Sequence, residues 1–143
     1  MTPAEIPNFT GVWKLNMEKS VLRGPAPARG LVKIRHREPE LIQALMMRGA
    51  DGREVPVRFV YETGKVTTNS ARGIAVKTHA QWEGGEYLLE STMDLPGRRV
   101  RFRDYWSLSE DGKTLTMAHR DDELAGQVSV LEKIADNPEA GVR

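Results

Sequence analysis

Short runs of alternating apolar and polar residues, broken again and again by glycine-bearing turns, recur along almost the whole chain. The breaks read "ADG", "TG", "EGG", "PG" and "EDG". Between them the pattern predicts strands over 9–16, 31–37, 40–48, 54–62, 65–70, 73–82, 86–94, 98–108, 113–120 and 126–134. Each run carries β-branched or aromatic residues at period two, so one face is apolar and the other polar. "ELIQALMMR", the run over 40–48, is the one that could pass for a helix, and strand-like neighbours on both sides make it a strand. About ten strands with no helix to cover them must bury their apolar faces against one another, in an antiparallel sandwich or barrel.

The remaining sequence narrows what such a barrel can do. At 143 residues the chain is read as one domain, 1–143, with an N-terminal arm over 1–8, a loop or lid over 18–30 and a flexible tail over 135–143. The loop, "EKSVLRGPAPARG", carries two prolines and so does not continue as a helix or strand. Twenty-one basic residues stand against twenty acidic ones, without the one-sided charge of a nucleic-acid binder. No run reaches the roughly 18 apolar residues of a membrane helix, so no membrane insertion is expected. The start, "MTPAEIPNFTG", lacks the basic and apolar regions of a signal peptide, which points to a cytoplasmic protein; a mature exported chain would read the same. Cysteine is absent, which removes disulfides, thiolate metal sites and cysteine nucleophiles together.

Two turns fix registers, and a register fixes which residues share a face. With Gly84-Gly85 as a two-residue turn, Trp82 faces Tyr87, Ala80 faces Leu89, Thr78 faces Ser91 and Val76 faces Met93. That apolar face points inward, and His79 with Glu90 falls on the solvent side. With the turn at Asp111-Gly112, Leu108 faces Leu115, Trp106 faces Met117 and Asp104 faces His119. Arg99, Arg101, Arg103 and Arg120 fill the other face. Four cations cannot share a dry core without partners, so the arginine face is wet and Asp104 and His119 lie inside. His36, following Val32 and Ile34, also points inward, opposite Leu41 and near Gln43.

"NFTGVWKLNMEKS" contains a Gly-x-Trp at Gly11-Val12-Trp13, and "QWEGGEYLLES" and "DYWSLSEDGKTLTM" are hairpin-like. Together they resemble small bacterial lipocalin-like proteins of the calycin type. The resemblance covers most of the chain as a strand pattern and implies an up-and-down barrel around a pocket for a small, mainly apolar ligand. The chain departs from lipocalins in having no C-terminal helix and no disulfide, and in offering Lys133 where an arginine covers the tryptophan. Arg103-Asp104-Tyr105 resembles the Arg-x-Tyr that binds carboxylates in fatty-acid-binding barrels, but the register turns Arg103 and Tyr105 outward.

The expected fold is therefore all-β: an antiparallel up-and-down barrel of about eight to ten strands with an interior ligand cavity. The expected function is binding of a small apolar or amphipathic molecule, in contact with Gln43, Tyr61, Thr78, Trp82, Ser91, Phe102, Trp106 and Met117. The alternative is a cofactor-free acid/base enzyme (isomerase, cyclase or hydrolase) in which His119 moves the proton, Asp104 orients it and His36 or Tyr61 assists. Each residue also has a plainer reading. Tryptophans most often fill cores, and Asp104 with His119 can simply bridge two strands. No metal and no cofactor is expected. A homodimer is compatible with the sequence.

Overall fold

A computed structural model describes residues 6–22, 30–48, 51–71, 73–121 and 126–139. Ten strands follow one another: β1 (Gly11–Leu15), β2 (Leu31–Arg37), β3 (Glu40–Arg48), β4 (Glu54–Glu62), β5 (Val66–Ala71), β6 (Ile74–Glu83), β7 (Glu86–Leu95), β8 (Arg98–Leu108), β9 (Thr114–Asp121) and β10 (Gln127–Ala135). They form one antiparallel sheet in the order β4-β3-β2-β1-β10-β9-β8-β7-β6-β5, so every neighbour but one is next in sequence. The exception, β1 against β10, joins the two ends of the chain. The result is a nearly closed up-and-down barrel.

The seam lies between β4 and β5, which share no ladder. Asn69 bridges it with its side chain: the Val60 N–H donates to Oδ1 at 2.8 Å, and Nδ2 donates to the Val60 carbonyl at 3.0 Å. At the far end of the seam Gly64 N–H donates to the Ala80 carbonyl at 2.7 Å. A side chain thus satisfies edge groups that would otherwise be left open.

The two hairpins have the registers their turns dictate. Trp82 pairs with Tyr87, Thr78 with Ser91 and Val76 with Met93; Trp106 pairs with Met117 and Asp104 with His119. The β8–β9 turn is wider than two residues. Ser109 N–H bonds the Thr114 carbonyl, and Asp111 Oδ1 accepts from Ser109 Oγ and the Lys113 N–H. Gly112, at φ +71°, supplies the left-handed residue this turn needs.

One end of the barrel is plugged. Phe9, Trp13, Leu15, Ile34, Leu41, Tyr87, Leu115 and Leu131 are buried there in one cluster. The motif glycine has a steric reason: Gly11 has φ +152°, and a Cβ on it would lie 2.9 Å from the Ala135 carbonyl oxygen on β10. The motif tryptophan donates its Nε1–H to the Phe9 carbonyl at 2.9 Å, and Lys133 Nζ stands 5.2 Å from its ring centre.

Residues 23–29 of the expected lid, 1–5 of the arm and 140–143 of the tail lie outside the described residues. What precedes and follows them is anchored. Asn8 donates to the His36 carbonyl, Val21 pairs with Val128, and Glu139 forms an ion pair with Arg35.

Candidate functional site

The inner faces of β3–β9 bound a pocket of about 280 Å³. Its wall is mainly apolar: Phe59, Val76, Leu89, Met93, Phe102, Trp106 and Met117. Among these apolar groups stand Gln43, Tyr61, Ser91 and Asp104. Its volume lies just under the usual range of small-molecule pockets, and its lining, mainly apolar with a few polar groups, is of their kind. Larger depressions lie on the outside, two of them above 500 Å³. One, of about 510 Å³, runs along Arg101, Arg103 and Arg120; another, of about 530 Å³, lies between β2, β3 and β4.

The expected binding residues divide into two groups. Gln43, Tyr61, Ser91, Phe102, Trp106 and Met117 line the pocket. Thr78 is buried and bonded to the Ser91 hydroxyl at 2.8 Å, which places it behind the wall. Trp82 does not reach the pocket. Its ring stacks on Phe9 at 5.9 Å and on His36 at 6.0 Å, and its Nε1–H donates to Glu38 Oε1 at 3.1 Å.

His36 belongs with Trp82. The Phe9 N–H donates to its Nδ1 at 3.2 Å, so the ring proton sits on Nε2 and is given to Glu38 Oε1 at 2.7 Å. Thr63 donates to the same oxygen at 3.1 Å and shares a 2.9 Å hydrogen bond with the Tyr87 hydroxyl. This network ties the plugged end together. None of its hydrogen bonds reaches the pocket lining, although Phe9 and Tyr87 pack against Trp106, which does line it; both nitrogens of His36 are spent within the network. His36 therefore does not stand beside Asp104 and His119 as an assistant. Among the described residues no group of three His, Asp or Glu side chains is placed to hold a metal ion.

Asp104 and His119 do meet. His119 Nδ1 lies 2.7 Å from Asp104 Oδ1, and Nε2 lies 2.9 Å from Asp121 Oδ2. Both side chains of the expected pair are mostly buried, His119 at 18% exposure and Asp104 at 22%. A ring bonded at both nitrogens to carboxylates carries both protons. The hydrogen bond to Asp104, opposed by burial and helped by Asp121, pushes its pKa up to about 9. The ring also packs against Phe102, centre to centre 5.2 Å. His119 stands behind Asp104 rather than in the wall.

Asp121 and Glu38 were missed as partners. Asp121 lies two residues after His119 on the same face of β9, so period two could have shown it had the strand been carried past 120. Glu38 lies in the β2–β3 turn, where no periodicity assigns a direction.

Neither a protein-family model nor a curated protein matches the sequence. The fold has solved counterparts. The chain is similar to secretory abundant heat soluble protein 4 from Ramazzottius varieornatus, with a TM-score of 0.60 and 14% identity, over 90% of this chain and 96% of that one. It is also similar to another secretory abundant heat soluble protein of that organism, from a dimer sample, with a TM-score of 0.55 and 13% identity over 87% and 93%. These likenesses are of fold alone, consistent with the barrel; they do not give the chain a sequence family or a bacterial origin.

Proposed function

We propose that the barrel binds a small apolar or amphipathic molecule in the inner pocket. The observation that carries this reading is the state of its polar groups. The Tyr61 and Gln43 side chains are mostly buried and line the pocket, and their polar atoms make no hydrogen bond among the described residues but stay accessible. Polar atoms left free in a mainly apolar lining are the groups that would orient a bound molecule. Both neighbours are named as secretory proteins, and a chain without cysteine works equally in oxidising and reducing compartments. The dimer sample behind one neighbour adds a homodimer to the partners to be tested by light scattering.

Acid/base chemistry at Asp104 and His119 is the less supported reading. A base needs an open lone pair near neutral pH, and both His119 nitrogens are engaged by carboxylates.

The experiment is a calorimetric titration with medium-chain alcohols, on the natural chain and on Val76→Phe. Val76 lines the pocket, and the larger ring would fill it. Binding that persists unchanged in Val76→Phe would place the ligand elsewhere.

A further inference from the structure

The polar chemistry of the pocket is one-sided. Asp104 lines it and gives only Oδ1 to His119, leaving Oδ2 without a hydrogen bond among the described residues. Tyr61 is buried close enough to Asp104 for the carboxylate's charge to help hold its phenol protonated, after the larger effect of burial. Gln43 can donate or accept. Ser91 is satisfied by Thr78.

No lysine or arginine appears among the residues lining the pocket. Arg103 is turned outward to Glu90 at 3.3 Å, Arg99 to Asp94 at 2.8 Å, and Lys133 lies over Trp13. His119, behind Asp104, faces Asp104 with one nitrogen and Asp121 with the other. It has no N–H left for a ligand.

Resting on the binding reading above, we propose that the pocket selects amphiphiles whose polar head is a hydrogen-bond donor, a protonated amine above all, and rejects carboxylates. An ammonium or hydroxyl head would donate to Asp104 Oδ2 and exchange hydrogen bonds with Gln43 and Tyr61. A carboxylate head would meet Asp104 in a partly desolvated site with no free cation to answer it. The pattern is opposite to that of a barrel with an inward Arg-x-Tyr, because here Arg103 is outside. The net charge of +1 would weakly favour anions, so a preference for a cation cannot come from the overall charge.

The test compares octylammonium, 1-octanol and octanoate at pH 7, read by calorimetry and by tryptophan fluorescence. The expected order is octylammonium first, octanol second and octanoate last, with at least about tenfold between the first and last. Asp104→Asn should bring that ratio to within about threefold while octanol still binds. Gln43→Leu, which leaves every charge in place, should weaken all three ligands and keep the order. Octanoate binding as tightly as octylammonium, or an unchanged ratio in Asp104→Asn, would overturn the proposal and leave the binding reading standing. Failure of all three to bind the natural chain would overturn both.

Discussion

The imidazole of His119 lies 2.7 Å from the carboxylate of Asp104, across the β8–β9 ladder, and Asp121 closes on its other side. The pair is therefore one half of a carboxylate–imidazolium–carboxylate bridge, which fixes the rim of the pocket and leaves only Asp104 facing into it.

That bridge predicts a pH dependence with a definite sign. The folded pKa of His119 is raised to about 9 from an ordinary 6.5, so the protonated ring stabilises the fold. Its contribution is complete below about pH 6.5 and is lost as pH rises through about 9. Thermal melts should show stability falling across that window by on the order of 1–2 kcal/mol, after allowance for the partial exposure of the ring. His119→Gln should flatten the slope. A melting temperature that holds steady from pH 6.5 to 9 in the natural chain would remove the imidazolium from the account.

Lys133 over Trp13 should behave as a cation–aromatic contact. Lys133→Arg should keep stability within a few tenths of a kcal/mol, and Lys133→Met should lower it by about 1 kcal/mol. Denaturant unfolding checks this. Equal stability of all three chains would reduce Lys133 to a bystander.

Gly11 should tolerate no side chain. A methyl group would meet the Ala135 carbonyl at 2.9 Å in a backbone conformation that L-residues rarely adopt, so Gly11→Ala should cost about 1–3 kcal/mol. The loss should appear as faster amide exchange along β1 and β10. Unchanged exchange there would mean that the β1–β10 closure is looser than its geometry implies.

Glu38 should be a structural hub at the plugged end. Its Oε1 accepts from His36, Thr63 and Trp82, so Glu38→Ala orphans three donors and should cost about 2–3 kcal/mol. Glu38→Gln keeps an acceptor oxygen and should cost less. Ligand binding in the inner pocket should survive in both variants. Loss of binding in folded Glu38→Gln would mean that the plugged-end network acts on the pocket through Phe9 and Tyr87, which pack on Trp106.

Inner and outer faces were legible in the sequence, and the level of a residue within the barrel was not. The Gly84-Gly85 and Asp111-Gly112 turns set registers, and registers sort side chains into inner and outer faces, so Asp104 opposite His119 and the outward arginines were legible. Height along the barrel was not. His36 and Trp82 face inward as period two requires, yet they sit in the plug because strand stagger, which no local pattern encodes, sets the level of each residue. Asp121 was hidden by ending β9 one residue early, and with it the fact that His119 is held from both sides.

The most direct test of ligand binding in the inner pocket is a heteronuclear NMR titration with 1-octanol. The Gln43 side-chain amide and the Trp106 indole should shift on saturation, while the Trp13 and Trp82 indoles at the plugged end stay in place. Shifts confined to the outer faces of β2–β4, or to the Trp13 and Trp82 indoles, would contradict the account.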